Sequence, residues 1–274
     1  IQNGSLLPPI KINKTKIQVL STCPFDAITE ILTTTYVDSV IYKQTVDTKY
    51  KDLIFFQIIV QYATNGVNNM FYFERASYLL TLFDEQGSII NCACNISNLI
   101  NKLLVEAPSF KQRSTCTKCH EEIKNIAIAD IDSKPILQEG LHIGLQKSID
   151  IFLSRKDIQC KSCGIKIISE IDADTHVLID VEHAYHSTLL AKIGFPDAPT
   201  NVSLSEIPIH LKIKADNYRL IGIISYDSYA EQEMGHYIAY CYRVINIWEE
   251  YDSLKNKCVT VMSHKLVRPS VIAY

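Results

Sequence analysis

The chain has 274 residues, of which 47% are hydrophobic and 21% charged, and its formal net charge is −3. This balance excludes a disordered tail, a collagen-like fibre and a low-complexity linker, and the length suffices for a full core without disulfide staples. With no basic excess, sequence-independent nucleic-acid binding is not expected.

Residues 1–15 read as an extended lead-in, because Pro8-Pro9 prevents a helix. The N-terminus carries no signal-peptide pattern. It also lacks Met, so the sequence reads as a domain excised from a longer chain. Ile17, Val19 and Leu20 lead into S-T-C-P, a helix start with Thr22 or Cys23 as N-cap and Pro24 at the first helical position. Phe25, Ile28 and Leu32 then share one face. Residues 50–63 and 69–84 are expected to be helical, as is 96–105. Leu53 to Val60, the longest apolar run, is too short to span a bilayer, so no membrane segment is expected.

After Lys111 the texture changes. Short strand-like runs and one helix-like stretch, Gly144 to Leu153, lie among cysteine pairs. From 175 onward THVLIDVEHA, EIPIHLKIKA, YRLIGIISYDS and GHYIAYCYRVINIW read as strands. A helical front half feeding a β-rich back half predicts an α+β fold.

Nine cysteines are present. Cys116-x-x-Cys119 and Cys160-x-x-Cys163 have equal spacing, and two such turns supply the four thiolates of one tetrahedral zinc. Four thiolates leave no open position, so the zinc is expected to be structural. His120 follows Cys119 directly and is not expected to be a ligand. The alternative is a set of unrelated core cysteines. Sequons at Asn3, Asn13, Asn95 and Asn201 point instead to a secreted glycoprotein, but chance sequons are expected in a chain rich in Asn, Ser and Thr. Cys92, Cys94, Cys241 and Cys258 suggest burial alone.

A second constellation is a thiol, an imidazole and a carboxylate. Cys23 stands at a predicted helix N-terminus, where unpaired N–H groups and the helix dipole favour a thiolate. His236 lies in G-H-Y-I-A-Y, with Ile238 and Tyr240 on its face of a strand. Asp252, in W-E-E-Y-D-S, is placed at the start of a following strand, where it can orient the imidazole. Each residue taken alone is more often structural.

The order Cys box, CxxC, CxxC, G-H-Y, W-x-x-Y-D resembles the ubiquitin-specific-protease family of cysteine isopeptidases over about residues 16–262. T-C-P-F-D-A-I at 22–28 is similar to that family's cysteine box. Leu145 to Gly164 resembles its helix and second zinc turn, and Tyr218 to Ile224 the strand before its histidine box. The resemblance implies a papain-like catalytic domain spanning 1–274. Its helical thumb would run to about 111, zinc-bearing fingers over 112–170 and a β-rich palm over 171–274. It also implies hydrolysis after the C-terminal Gly-Gly of a ubiquitin-like modifier by an intracellular monomer in nucleus or cytoplasm. Cys23 becomes the nucleophile, His236 the general base and Asp252 its orienting acid. Gln18, five residues before the cysteine, takes the place of the family's oxyanion-stabilising Asn. Ser253 stands where a second acid often follows the Asp.

Two departures from the family bear on substrate. The acidic box between the cysteine and the fingers is replaced by VNNMFYFERASYLLTLF, with little acid to hold the two arginines of a ubiquitin tail. Asp26 also replaces the box Asn, as in the divergent SUMO-directed branch. SUMO is therefore the expected modifier, with ubiquitin the alternative if acids such as Asp172, Asp174, Asp180 or Glu182 serve instead. Two rival readings are a pseudoenzyme that only binds a modifier and a zinc-ribbon interaction module with an inert, buried Cys23.

Overall fold

Proline and polar residues break the N-terminal lead-in into more than an extended run. In this computed structural model residues 4–6 form a 3-10 turn, and strands β1 (Ile10–Ile12) and β2 (Thr15–Leu20) form an antiparallel hairpin. The connecting Asn13 and Lys14 have φ of 48° and 71°, the backbone that a two-residue hairpin turn demands. The structure describes all residues except 85–86, 117, 120, 155–157, 161, 186–193, 195–199 and 228–234. They form two compact units, Ile1–Leu103 with Ile221–Ser263, and Leu104–Leu220 with His264–Tyr274.

The first unit is built around helix α1 (Cys23–Asp38). Cys23 is its first residue, with Thr22 as N-cap and Pro24 second. Helices α2 (Val40–Thr45), α3 (Ile54–Asn65) and α4 (Asn69–Phe83) follow, then β3 (Ile89–Asn91), parallel to β2, and α5 (Ile96–Leu103). The helix expected from residue 50 starts at Ile54, because 46–50 close as a π-helical turn and exposed Lys51 and Asp52 interrupt the apolar pattern. Helix α4 ends at Phe83, and Asp84 turns the backbone left-handed at φ 50°. Asn95 caps α5 by accepting hydrogen bonds from the Ser97 and Asn98 amides at 2.9 and 3.2 Å. Asn3 is buried and bonded to Ser253, so two of the four sequon asparagines serve the fold directly.

The second unit carries β4 (Phe110–Thr115), β5 (Glu121–Ile126), β6 (Ala129–Asp130), α6 (Lys134–Glu139) and α7 (Leu141–Leu153). After these come β7 (Ile158–Gln159), β8 (Lys166–Ala173), β9 (Leu178–Asp180), β10 (Val202–Ser203), β11 (His210–Ile213) and β12 (Asp216–Arg219). Strands β5-β4-β8-β7 form one antiparallel sheet. Gly144 lets α7 cross α6 closely, since a Cβ there would lie 2.5 Å from the Ile136 Cα. The run expected as one strand at YRLIGIIS is two, because Leu220 and Ile221 leave the ladder between β12 and the next strand.

The chain then returns to the first unit with β13 (Gly222–Asp227), β14 (His236–Tyr242), β15 (Trp248–Tyr251) and β16 (Val259–Val261), an antiparallel sheet in sequence order. Helix α1 packs on β14, β13, α3 and α5. Strands β17 (Leu266–Val267) and β18 (Pro269–Ala273) complete the second unit, where β17 pairs with β10 and β18 with β9. The architecture is the expected mixture of α and β.

One buried ion pair ties α1 to α4. Arg75 Nη1 lies 2.6 Å from Asp26 Oδ1, with both side chains almost wholly excluded from water. The Thr22 hydroxyl donates to Asp26 Oδ2 at 2.5 Å and accepts from the Gly4 amide at 2.8 Å, and the Arg75 guanidinium sits over the Tyr72 ring. Removing one member of such a pair leaves the other charge buried and uncompensated, at a cost of about 3–5 kcal/mol. Arg75→Met is expected to destabilise the fold by that amount in chemical denaturation. The double change Arg75→Met with Asp26→Leu should recover most of the loss.

Candidate active site and cysteine cluster

The start of α1 supplies the thiol. Cys23 is 7% exposed and stands in the first turn, where free backbone N–H groups and the helix dipole favour an anion. Strand β14 supplies the imidazole at its first residue, His236. The antiparallel pairing of Ala239 with Tyr251 brings the end of β15 beside it. Asp252 is not at the start of a new strand, as the sequence suggested, but just past the end of β15. Its carboxylate is free to turn because the ladder has stopped.

The three groups lie together. His236 Nε2 lies 2.7 Å from Asp252 Oδ1, and the Cys23 thiol is near enough to the same imidazole to influence its protonation. Asp252 Oδ1 also accepts from the Leu254 amide at 3.0 Å. Burial pulls the His236 pKa down, but the neighbouring Asp252 and Cys23 outweigh it and raise it to about 9. For Asp252, burial works upward, yet His236, the Leu254 amide and Lys255 hold its carboxyl down at about 2. At neutral pH the pair is therefore an imidazolium and a carboxylate.

The Tyr226 hydroxyl accepts from the Gly235 amide at 3.0 Å, and a Cβ at 235 would fall 2.1 Å from the Tyr226 ring, so a larger residue there would displace that ring. Tyr226 pairs in register with Tyr237, with ring centroids 5.0 Å apart. A cavity of about 210 Å³ lies behind the carboxylate, lined among others by Asp26, Glu30, Tyr237, Asp252 and Lys255.

Gln18 departs from its expected place. It lies on β2, but its amide nitrogen donates to the carbonyls of Gly4 and Leu7 at 3.1 Å and Val19 at 3.3 Å. An amide has two N–H groups, and both are engaged by backbone. An oxyanion role requires their release. The residues missed from the sequence are Lys255, whose Nζ lies 3.2 Å from Asp252 Oδ2, and Arg75, which pairs with Asp26 under the first turn of α1. The turn residues Asp252-Ser253-Leu254-Lys255 were the only sequence signal for the former.

In the second unit, the Sγ atoms of Cys116, Cys119, Cys160 and Cys163 all lie within 4.8 Å of one another. Cys116 and Cys163 are 3.5 Å apart, near the roughly 3.8 Å edge of a tetrahedron with metal–sulfur bonds of about 2.3 Å. Both CxxC turns are closed by backbone bonds, Cys119 N–H to Cys116 O and Gly164 N–H to Cys160 O. Gly164 has φ of 72°. The four cysteines are thus placed to hold one metal ion. His120 lies outside the described residues. All nine cysteines are free thiols. The acids considered as substitutes for a tail-binding box have partners in their own unit: Asp172 meets Lys214, Asp174 meets Lys111, and Asp180 accepts from the Glu182 amide. No helix among the described residues is long and apolar enough to cross a membrane.

No protein-family model matches the chain. It is 34% identical over 259 residues to a 120.7 kDa protein in the NOF-FB transposable element of Drosophila melanogaster. That alignment covers 93% of this chain and 24% of the relative, so the chain spans about a quarter of the relative's length. Among solved structures it is similar to a chain of the yeast SAGA DUB module bound to ubiquitin aldehyde, at 12% identity and TM-score 0.49, covering 100% of this chain and 70% of that one. It is also similar to the Saccharomyces cerevisiae PAN2 pseudoubiquitin-hydrolase, at 14% identity and TM-score 0.38, covering 92% and 81%.

Two measurements check this geometry. Elemental analysis of the purified protein is expected to find one metal ion per chain, lost in Cys160→Ser. Replacing Asp252 by Asn removes the charge that sustains the imidazolium. The His236 titration followed by NMR should then fall from about 9 towards its unperturbed 6.5.

Proposed function

We propose that this chain is a cysteine isopeptidase that cleaves after the C-terminal Gly-Gly of a ubiquitin-like modifier. The observation that carries the reading is the His236–Asp252 hydrogen bond of 2.7 Å next to Cys23 at a helix N-terminus. The Cys23 thiolate attacks the glycyl carbonyl, and the negative charge passes to its oxygen. Backbone N–H groups at the start of α1 stabilise that oxygen, and Gln18 joins them if its amide leaves the Gly4 and Leu7 carbonyls. The His236 imidazolium gives its proton to the leaving lysine amine, and a glycyl thioester forms. His236 then takes a proton from water, the hydroxide attacks the thioester, and the thiolate is released.

SUMO is the favoured modifier, with ubiquitin the alternative. Helix α4 offers little acid, and the Asp26 charge is buried against Arg75, so it is withheld from the arginines of a ubiquitin tail. The metal at the four cysteines is assigned as structural zinc, since four thiolates suit that ion and leave no position for a reacting water. It would hold the strands that grip the modifier's body while taking no part in the chemistry. The single-domain organisation, the monomeric state and an intracellular site of action belong to the same reading. The similarity to a transposable-element protein suggests that such a domain is one segment of a larger mobile-element product.

The test is a paired reaction of the purified protein with SUMO and ubiquitin carrying C-terminal thiol-reactive warheads. The expected result is an adduct with SUMO that is absent in Cys23→Ala, a variant that should remain folded. An adduct with ubiquitin alone keeps the mechanism and overturns the modifier assignment. A folded, metal-loaded protein that reacts with neither overturns the enzymatic reading in favour of a binding module.

A further inference from the structure

The turn that follows β15 puts a cation on the far side of the triad. Asp252 opens a four-residue turn closed by the Lys255 amide to the Asp252 carbonyl at 2.8 Å. The same carboxylate caps the turn from inside, through the Leu254 amide. This geometry folds the Lys255 side chain back over the acid, where Nζ reaches Asp252 Oδ2 at 3.2 Å. It is anchored there by Glu250 Oε1 at 2.6 Å. Glu250 is buried on β15 and also bonds the Tyr240 hydroxyl of β14. A continuous polar chain therefore runs from Glu250 through Lys255 and Asp252 to His236.

We propose that Lys255 is a positioning residue of the site, acting through Asp252. Its ammonium, fixed by Glu250, shares the carboxylate with His236 and limits how strongly that carboxylate holds the imidazolium. The inference rests on the isopeptidase reading for its consequence in catalysis, though not for its physical test. The charged groups around the pair include Asp227, which stands opposite His236 in register on β13. His236 faces Asp252 and Cys23, and Asp252 faces His236 and Lys255. Tyr240 feels both Glu250 and Asp252, while Asp26, Glu30 and Lys257 line the cavity behind the acid. Lys255 is the cation in hydrogen-bond reach of the Asp252 carboxylate among the described contacts.

The sign follows from Coulomb's law. Without Lys255 the whole negative charge of Asp252 faces His236, and one positive charge near the imidazolium is gone. Both changes favour the protonated ring. The Leu254 amide still orients Oδ1, so the carboxylate does not turn away. Because Lys255 is half exposed, water screens the effect to about half a pH unit.

The experiment follows the His236 titration by NMR in the intact protein, together with the alkaline limb of the pH profile for release of a modifier from its fluorogenic C-terminal amide. Lys255→Met is expected to move both upward by about half a pH unit, and Lys255→Arg to restore the original positions. An unchanged or lowered His236 titration in a folded Lys255→Met protein overturns the proposal. If the titration moves as expected but no modifier is cleaved at any pH, the isopeptidase reading fails and the role of Lys255 stands.

Discussion

The first unit depends on one constraint: α1 must be buried on nearly every side while it presents a thiol at its open end. From Cys23 to Tyr36 every residue of α1 is shielded from water. Such a helix cannot be amphipathic in the ordinary sense, and its polar residues must find partners inside. Several of the threonines do so, while the buried Thr33 hydroxyl finds no hydrogen-bond partner. Thr29 and Thr35 donate back to the carbonyls of Phe25 and Ile31 at 2.7 Å, and Thr34 bonds Cys241 on β14. Apolar positions such as Phe25, Ile28 and Ile31 fill the core. Packing on β14 fixes the helix relative to the strand that carries His236, so the same burial that stabilises α1 sets the thiol–imidazole contact.

Charge is buried in this unit only where it is matched. Asp26 and Arg75 neutralise each other under the first turn of α1, and the Thr22 hydroxyl links them to Gly4. The Gly4 carbonyl in turn holds the Gln18 amide, so the segment before the nucleophile is fastened at both ends. At the other end of α1, Arg243 meets Asp38 with two bonds of 2.8 Å and fixes the turn after β14. The His236–Asp252 pair adds a dependence on pH. The raised histidine contributes stability that is fully present below its unfolded value of 6.5 and is lost as pH rises through about 9. The depressed aspartate contributes stability present above 3.8, which disappears as pH falls through about 2. The two statements describe one shared interaction and are not to be added.

Much of this was legible in the sequence where chemistry is carried by residue type and spacing. Two equal CxxC turns far apart in sequence read as one four-thiol site because a metal ion needs few ligands of one kind, and their sulfurs do converge. Cys23, His236 and Asp252 were legible because a helix start, a glycine before a strand histidine and an acid after an aromatic run each leave a short local mark. Gln18 was not, because its side chain is directed by carbonyls of Gly4 and Leu7, which no spacing rule reveals. Arg75 reads as an ordinary surface residue of α4 until its partner one helix away is known. The break between β12 and β13 escaped notice because an unbroken apolar run looks the same whether the ladder continues or stops.

The two units also divide the physical work. In the second, four thiols sit where hairpins close and buried hydrophobic residues are few: strand β5 is exposed along almost its whole length. Such strands cannot be held by a core, and a cross-link through a metal is the means by which short exposed hairpins keep a fixed shape. In the first unit the opposite holds. There the His236 and Asp252 side chains are held by burial and by the backbone bond from the Leu254 amide. The four-thiol cluster belongs to one unit and the Cys23 thiol to the other. Sulfur whose charge is committed to a metal is a poor nucleophile, and sulfur left free beside an imidazolium is a good one.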